Sequence, residues 1–269
     1  MRIGLIAGSG QFPIIFSKKA KSKGFSIYAA AYLNEADPCL KNYVDAVEWL
    51  HLGQIKRLLK FFNKNNIHEA VMLGAINKTK MFTDVKPDMK AISIIAGMRN
   101  THDDGLLSVF AKALEKEGVK IKPSTFLLPD LIAKQGCWTK KKPGRAEKKD
   151  IEIGWKLAKE IGRFDIGQCV VVGGGTVLAV EAIDGTDATI LRGGKLGRGN
   201  AVVVKVCKPR QDIRFDVPAV GVRTINTMHK AGATVLAVEA EKAVVFDRDD
   251  MIEAADRFGI SIVALSKEY

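Results

Sequence analysis

Short apolar runs alternate with amphipathic stretches along the first half of the chain. Residues 3–7 read IGLIA and residues 26–32 read SIYAAAY, and continuous apolar runs of this length are typical of strands buried on both faces. Residues 53–66 repeat apolar positions every three or four residues, which predicts a helix. Strands that alternate with helices predict a parallel sheet covered on both faces, so we expect an α/β fold with a Rossmann-like N-terminal domain. Further strands are predicted at 46–50 and 69–74, and further helical stretches at about 91–118 and 127–134.

The second half of the chain mixes helical and hairpin patterns. Residues 150–165 have apolar positions at helical spacing, with Asp150 suited to be the N-cap. Residues 168–182 contain two apolar runs joined across Gly173, Gly174 and Gly175, which predicts a β-hairpin. We therefore expect a distinct, mixed α+β C-terminal domain. Its further predicted elements are the strands AVVVKV, ATVLAVEA, AVVF and ISIVAL and the helix RDDMIEAADRFG.

A charged stretch separates the two halves. Residues 140–149 read KKKPGRAEKK, which combines proline, glycine and charge and has Ala146 as its one apolar residue. This composition is typical of a linker. We expect a Rossmann-like domain at 1–139, a linker at 140–150 and a mixed α/β catalytic domain at 151–269.

Composition indicates a globular protein. The chain has 269 residues, of which 47% are hydrophobic and 27% charged, and no apolar run reaches the roughly 18 residues of a membrane span. The first residues lack the extended apolar segment of a signal peptide, so we expect the protein in the cytoplasm. The four cysteines lie far apart with no CxxC pair, which argues against a zinc site.

The net charge of +12 is concentrated in the first half. Residues 1–139 carry 20 basic and 12 acidic residues, whereas residues 151–269 carry 16 of each. A basic surface attracts nucleotides, nucleic acids and acidic membrane faces, although it also simply favours solubility. Aromatic residues make up 7% of the chain and do not interleave with basic ones, so we do not expect a nucleic-acid partner.

A glycine-containing corner follows the first predicted strand. Residues 8–13 read GSGQFP and stand where a first strand meets a first helix, a position where backbone N–H groups bind phosphate. Pro13 occupies the place of the third glycine in the dinucleotide pattern, so support for a nicotinamide-type cofactor is weak. Contact with a nucleotide is expected here, and a tight turn without a ligand is the alternative. The candidate residues are Gly8, Ser9, Gly10 and Gln11.

Two further stretches concentrate acidic residues at predicted corners. THDDG at 101–105 places Asp103 and Asp104 before a helix, where they suit capping or a metal ion. In EAIDGTDATILRGG at 181–194, turn chemistry accounts for Asp184 and helix capping for Thr186. Glu181 and Asp187 are left for a chemical role.

The stretch KPRQDIRFDVP at 208–218 alternates acids and bases. An extended backbone would place Asp212, Arg214 and Asp216 on one face and point the apolar residues between them inward. Two carboxylates beside a guanidinium suit a divalent metal, or activation of water beside an anionic group. A solvated ion-pair row on an edge strand is the alternative.

Taken together, these motifs resemble the LpxI family of UDP-2,3-diacylglucosamine pyrophosphatases. The resemblance runs in order through GLIAGSGQFP, HDDG, DIGQCVVVGGGTVLAVEAIDGTDA, VVVKVCKPRQDIRFDVPAVG and AADRFGI, over nearly the whole chain. It implies hydrolysis of UDP-2,3-diacylglucosamine to UMP and 2,3-diacylglucosamine 1-phosphate (lipid X), a step of lipid A synthesis. It further implies water attack at the α-phosphate, Mg²⁺ or Mn²⁺ as cofactor, a homodimer and a lipid product held between the two domains. Peripheral contact with the inner membrane is a related expectation.

The resemblance gives each candidate residue an expected role. Asp212 or Asp216 is expected to bind the metal or orient the attacking water, with Arg214 beside them. Lys205 and Lys208 are expected to neutralise phosphoryl charge, and Glu181 and Asp187 to complete the metal site. The expected substrate-binding residues are Gly8, Ser9, Gly10, Gln11, Asn77, Lys78, Gln168, Thr186, Lys205, Lys208 and Gln211, and the expected metal ligands are Asp187, Glu181, Asp103 and Asp104.

The chain departs from the family pattern at three places. His102 stands in the glycine position of the family's GDD, Asn77 and Lys78 lie where the family has GKV.RP, and Asp184 replaces a glutamate. These departures bear on substrate contacts. Two other function classes stay open: an oxidoreductase or other nucleotide-cofactor enzyme that uses the GSGQFP corner, and a non-enzymatic binder of anions or membrane surfaces.

Overall fold

The chain folds into two compact units. The structure, a computed structural model, describes residues 1–76, 85–96, 103–209, 211–215 and 217–266. The first unit comprises Met1–Pro129 with Asp212–Asp216, and the second comprises Asp130–Gln211 with Val217–Tyr269. One unit holds a parallel sheet and the other a separate mixed sheet, so the predicted fold class is confirmed.

The sheet of the first unit is parallel and five-stranded. Its strands lie in the order β3-β2-β1-β4-β5, so the direction of winding reverses between β1 and β4. Ligands of such sheets bind outside the carboxyl ends of the strands at this reversal. The strands are β1 (Arg2–Ala7), β2 (Ser26–Tyr32), β3 (Ala46–Leu50), β4 (Glu69–Leu73) and β5 (Lys120–Ile121).

The described residues of the first unit form four α-helices. Helix α2 buries Leu58 and Phe62 in a core that also contains Leu114 of α4, as its periodicity predicts. In the described residues of the helical stretch predicted at 91–118 there are helices on either side of positions 97–102, and the helix predicted at 127–134 is only a 3₁₀ turn, Pro129–Leu131. Leu127 has a left-handed φ of 66°, which interrupts a right-handed helix there. The helices are α1 (Phe12–Ser22), α2 (Ile55–Lys64), α3 (Met89–Ala96) and α4 (Asp103–Lys116).

The second unit contains a six-stranded mixed sheet. Its strand order is β6-β13-β11-β9-β7-β8, in which β9, β11 and β13 are parallel and β7 is antiparallel to both of its neighbours. The hairpin predicted across Gly173, Gly174 and Gly175 is confirmed as β7 and β8. The strands of this sheet are β6 (Gly136–Cys137), β7 (Cys169–Gly173), β8 (Thr176–Val180), β9 (Ala201–Lys205), β11 (Ala233–Glu239) and β13 (Ser261–Leu265), and β10 (Ala219–Val220) and β12 (Val244–Val245) form a separate parallel pair.

Helices cover both faces of this mixed sheet. Val170 and Val172 of β7 pack in one cluster with Trp155 of α5, whereas Val171 packs on the other face with Ile190 of α6. This division follows from the two-residue period of a strand. Among the helices in the described residues, none has the length and apolar character needed to cross a bilayer. The helices are α5 (Arg145–Arg163), α6 (Gly185–Gly197), α7 (Val222–Ala231) and α8 (Arg248–Phe258).

The stretch predicted as a linker at 140–150 belongs to the second unit. Backbone N–H of Lys140 donates to Asp256 at 2.8 Å, and α5 begins at Arg145. Gly144 N–H donates to Glu147 Oε2 at 2.7 Å, which satisfies an N–H at the start of the helix. The charged residues from Arg145 onward therefore lie at the start of α5, and the first unit ends at Pro129 apart from Asp212–Asp216.

Asp150 lies inside α5 and does not cap it, contrary to the sequence-based expectation. Its buried carboxylate accepts hydrogen bonds from Gly174 N–H at 3.0 Å and Gly175 N–H at 2.7 Å. The residue therefore fixes the turn of the β7–β8 hairpin onto the helix.

We expect Asp150→Ala to lower the free energy of unfolding by about 2–3 kcal/mol, because two N–H groups lose a charged acceptor. Urea denaturation measures this change. Glu152→Ala, at an exposed position of the same helix, is the matched control and should have almost no effect. Equal losses in the two variants would contradict the assigned role.

Candidate functional site

The corner after β1 is held by the end of β4. Gly8 N–H donates to Leu73 O and Ser9 N–H to Ala75 O, each at 2.8 Å, and the Ser9 hydroxyl donates to Ala75 O at 2.7 Å. A Cβ on Gly8 would lie 2.5 Å from Ala75 O, so only glycine fits this close approach. Gly8 and Ser9 therefore serve mainly to join the two strands at the sheet reversal.

A cleft opens beside this corner in the first unit. Its volume is about 900 Å³, and it is lined by Gly10 and Gln11 after β1, Asn34 and Glu35 after β2, and Trp49 of β3. The cleft thus lies at the carboxyl ends of parallel strands, where open α/β sheets bind ligands. Gly10 has a φ of 91°, and a Cβ there would meet open space. Its backbone leaves room for a ligand to approach.

Glu181 organises the corner between β8 and α6 in the second unit. Its side chain is buried, Oε2 accepts from Gln168 N–H at 2.9 Å, and Oε1 accepts from the Thr186 hydroxyl at 2.6 Å. Thr186 was expected to cap α6 and instead donates to this carboxylate. A fully engaged carboxylate of this kind favours a positioning role over metal binding.

Gln168 offers an acceptor at the same corner. Its side-chain Oε1 is buried and has no hydrogen-bond partner among the residues that the structure describes. Buried polar atoms are nearly always paired in folded proteins, so an unpaired one points to a partner such as a ligand. This supports Gln168 as a substrate contact.

Two ion pairs flank the start of α6. Asp187 pairs with Arg223 Nη2 at 2.7 Å, and Asp184 pairs with Arg192 Nη1 at 2.5 Å. Hydrogen bonding from Arg192 holds the pKa of the Asp184 carboxyl below its usual value. Arg223 is 89% exposed, so its guanidinium can turn toward an anionic ligand at little cost.

Lys205 is a buried cation at the end of β9. Its Nζ donates to Ala219 O at 2.9 Å. The neighbouring Cys169 thiol is also buried, and its pKa is raised by burial and by the nearby charge of Glu181. Cys169 therefore stays a neutral thiol and is not suited to be a nucleophile.

The loop after β9 is fixed by side-chain contacts in the second unit. Lys208 Nζ pairs with Asp165, and Gln211 Oε1 accepts from Lys208 N–H at 2.9 Å. Cys207 N–H donates to Glu239 Oε2 at 2.9 Å, and Glu239 also pairs with Lys159 Nζ at 2.6 Å. Lys208 and Gln211 are thus held by contacts within the second unit.

The segment that follows is a turn and not the extended strand expected from the sequence. Phe215 N–H donates to Asp212 O at 3.0 Å, and Ile213 is 51% exposed where it was expected to point inward. Phe215 packs against the core of the first unit, and Ile213 O accepts from the Ser124 N–H and hydroxyl. These contacts hold the backbone in a turn. The side chains therefore do not alternate between two faces as the sequence pattern predicted.

Asp212 and Arg214 form a close pair in this turn. Arg214 Nη2 lies 2.7 Å from Asp212 Oδ2, Arg214 Nε lies 3.0 Å from the same oxygen, and Arg214 Nη1 lies 3.1 Å from Glu115 Oε1. Hydrogen bonding from Arg214 holds the pKa of the Asp212 carboxyl below its usual value of 3.8, and the pair raises the pKa of Arg214. Asp212 is therefore ionised at neutral pH, and it suits orienting water better than storing a proton.

Several expected site residues lie outside the part of the chain that the structure describes. Asn77, Lys78, His102 and Asp216 are not among the described residues. Asp103 and Asp104 begin α4, and the structure describes only their backbone. Their assigned roles remain predictions.

The described carboxylates do not by themselves fit a divalent ion. Within the described ranges, no group of three or more His, Cys, Asp or Glu side chains is placed to hold a metal. Of the expected ligands, Glu181 and Asp187 are already engaged by Thr186, Gln168 and Arg223. We therefore derive no reaction step through a metal ion.

Sequence reasoning missed the partners that hold these residues. Glu115 lies 99 residues before Arg214 in the chain, and Asp165 lies 43 residues before Lys208. Arg223, which pairs with Asp187, has no motif around it. Long-range ion pairs leave no local pattern, so only the folded chain reveals them.

Comparisons with known proteins match both units of the chain to the same family. Residues 2–131 match the family model of the LpxI N-terminal domain, and residues 134–263 match that of the LpxI C-terminal domain. A relative from Caulobacter vibrioides, named UDP-2,3-diacylglucosamine pyrophosphatase LpxI, is 30% identical over 278 residues. The alignment covers 99% of this chain and 98% of the relative.

Solved structures give only distant matches. The biotin carboxylase domain of a single-chain bacterial carboxylase is 15% identical with a TM-score of 0.28, and the match covers 60% of this chain and 29% of that one. Phosphoribosylglycinamide synthetase from Anaerococcus prevotii is 12% identical with a TM-score of 0.26, over 70% and 42% of the two chains. Similarity this low carries no argument about fold or function.

Proposed function

Because the chain belongs to the LpxI family, we propose that it hydrolyses the pyrophosphate of UDP-2,3-diacylglucosamine to UMP and 2,3-diacylglucosamine 1-phosphate, as an enzyme of lipid A synthesis. The observation that carries the proposal is the end-to-end match to the Caulobacter relative of that name. In the proposed reaction, water attacks the α-phosphorus. The bond from that phosphorus to the bridging oxygen breaks, and the β-phosphate leaves with the sugar lipid.

Asp212 and Arg214 are the proposed centre of this chemistry. The ionised Asp212 carboxylate accepts a hydrogen bond from the attacking water and so directs its lone pair at phosphorus. Arg214, already aligned by Asp212 and Glu115, faces the negative charge on the phosphoryl oxygens without a large loss of side-chain entropy.

The second unit contributes cations and positioning groups. Lys205 and Lys208 are held by the Ala219 carbonyl and by Asp165, and both are proposed to neutralise pyrophosphate charge. Gln168 Oε1 is proposed to accept a hydrogen bond from the substrate. Glu181 is proposed to position Gln168 and Thr186.

The cleft of the first unit is proposed to take the nucleoside. Its lining includes Gln11, Asn34 and Trp49, residue types that commonly contact nucleosides. Its position at the sheet edge also suits the competing nucleotide-cofactor function. That alternative predicts a dinucleotide released from the purified protein on denaturation.

Mg²⁺ or Mn²⁺ stays part of the proposal as a requirement to be tested. For three of the expected metal ligands, Asp103, Asp104 and Asp216, the structure does not describe the side chain. A homodimer is likewise proposed from the family resemblance.

Hydrolysis is tested directly with the purified protein and UDP-2,3-diacylglucosamine in ¹⁸O-labelled water, with products separated by mass. We expect UMP and lipid X, with the label in UMP because water attacks the α-phosphorus. Label in lipid X would place the attack on the β-phosphorus. No cleavage, under conditions where an established pyrophosphatase works, would overturn the substrate assignment.

Removal of divalent ions is expected to abolish product formation. The same assay is run after EDTA treatment and again after Mg²⁺ or Mn²⁺ is restored in excess. Full activity in EDTA would contradict the proposed metal requirement while leaving the hydrolysis itself established.

A further inference from the structure

The outer side of α2 in the first unit presents a row of lysines. Lys56, Lys60 and Lys64 recur every four residues, so they lie on one face of the helix and are all exposed. Like charges at this spacing repel each other. The row gives this side of α2 a positive potential that attracts anions.

Two grooves continue this positive surface across α3 and α4. One groove, of about 790 Å³, is formed by residues of α2 and α3, and the other, of about 730 Å³, by residues of α3 and α4. The grooves share Lys90, Ser93 and Glu117, so they adjoin. Six lysines and two glutamates line them, a net charge of +4: Lys56, Lys60, Lys64, Lys90, Lys112 and Lys116 with Glu115 and Glu117.

Two exposed apolar side chains lie on α3, the helix that contributes residues to both grooves. On α3, Met89 is 78% exposed and Ile92 is 47% exposed. Exposed apolar side chains on the same surface as lysines are typical of faces that lie in the headgroup region of a bilayer, where lysine stems follow the apolar side chains and ammonium groups reach phosphate.

We propose that this basic ridge, made of the two grooves with Met89 and Ile92, docks the protein on an anionic phospholipid bilayer. The net charge complements lipid phosphates, and the two apolar side chains enter the boundary between headgroups and acyl chains. None of the residues that line the grooves is aromatic, which disfavours stacking on nucleic-acid bases. The inference rests on this surface alone and does not depend on the proposed hydrolase function.

Vesicle binding of the full chain tests the proposal. Cosedimentation is measured with vesicles of phosphatidylcholine alone and with an equal mixture of phosphatidylglycerol and phosphatidylcholine. We expect binding to the anionic vesicles only, weakened by salt. The variant Lys56→Gln/Lys60→Gln/Lys64→Gln should bind on the order of 100-fold more weakly, since each basic residue near an anionic surface contributes about fivefold.

A matched variant separates this surface from general charge. Lys148→Gln/Lys149→Gln/Lys156→Gln removes the same number of exposed lysines from α5 and should bind like the unaltered protein. An equal loss in both triple variants would overturn the proposal. So would binding of single-stranded RNA as tight as vesicle binding and lost in the same α2 variant, because the surface would then be a general polyanion site.

The two apolar side chains need their own variant. Met89→Ser/Ile92→Ser should weaken vesicle binding by about tenfold because apolar burial is lost. Unchanged binding would overturn the proposal as stated. Hydrolysis of detergent-dispersed substrate should be the same in all these variants, so a failure of docking and a failure of the proposed reaction are observed separately. Thermal unfolding confirms that each variant is folded.

Discussion

Replacing Asp212 with asparagine is expected to lower kcat for UDP-2,3-diacylglucosamine hydrolysis by roughly 10²–10⁴-fold while the protein stays folded. Asparagine has the same shape and still offers an oxygen to Arg214, but it lacks the negative charge that directs the attacking water. Steady-state kinetics measure the loss, and thermal unfolding checks the fold. Asp216→Asn is tested in parallel, because the family resemblance allows either aspartate to hold this role.

Glu115→Gln is the matched control for Asp212. Both side chains pair with Arg214, at 2.7 Å from Asp212 and 3.1 Å from Glu115, but only Asp212 is assigned to the water. We expect Glu115→Gln to change kcat by less than about fivefold, since a partly exposed ion pair contributes little. Equal losses in the two variants would mean that the placement of Arg214 limits the reaction. Near-normal activity in both aspartate variants would overturn the assignment.

Replacing Glu239 with alanine is expected to lower the free energy of unfolding by about 3–5 kcal/mol. Glu239 and Lys159 are mostly buried, with 6% and 15% of their side chains exposed, and their charged atoms lie 2.6 Å apart. Removal of the carboxylate leaves the ammonium of Lys159 without its counter-charge and Cys207 N–H without its acceptor. Urea denaturation measures the change.

Lys242→Ala tests the exposed ion pair of Glu239 with Lys242 separately from its buried ion pair with Lys159. Lys242 Nζ also pairs with Glu239, at 3.0 Å, but its side chain is 52% exposed. We expect a loss of less than about 1 kcal/mol, because water screens this interaction. A loss as large as that of Glu239→Ala would contradict the importance of burial.

The stability contributed by Glu239 should depend on pH. Burial raises the pKa of this carboxyl, but hydrogen bonds from Lys159 and Lys242 outweigh burial and lower the pKa below its usual 4.5. A carboxyl with a lowered pKa contributes its full stability above pH 4.5 and loses it as the pH falls through the folded-state value. Unfolding free energies of the unaltered protein and of Glu239→Ala should therefore converge in acid.

The periodicity of hydrophobic residues predicted the architecture well, because it reflects which side chains are buried. The runs at 3–7 and 26–32 are strands of the parallel sheet, and Gly173–Gly175 mark the turn of a hairpin, since these patterns reflect local chemistry that the fold does not override. The expected linker at 140–150 contains the start of α5 at Arg145, because a charged, solvated helix start has the same composition as a linker.

The stretch at 208–218 shows where local patterns stop being sufficient. Its alternation predicted an extended strand, yet Phe215 packs into the core of the first unit and Ser124 binds the Ile213 carbonyl, and the backbone turns. Both contacts come from residues far away in the chain. The local pattern of residues 212–216 therefore could not predict these contacts.

By itself, the sequence determined the fold class, the family and the residue types available for phosphate chemistry, because burial periodicity and long ordered motifs are properties of the chain. Only the tertiary structure decided which partner each charged side chain has. Arg214 meets Glu115 as well as Asp212, Glu181 meets Thr186, and Asp150 meets the hairpin turn. The physical reason is that a hydrogen bond depends on distances below about 3.5 Å, and separation along the chain does not set such distances.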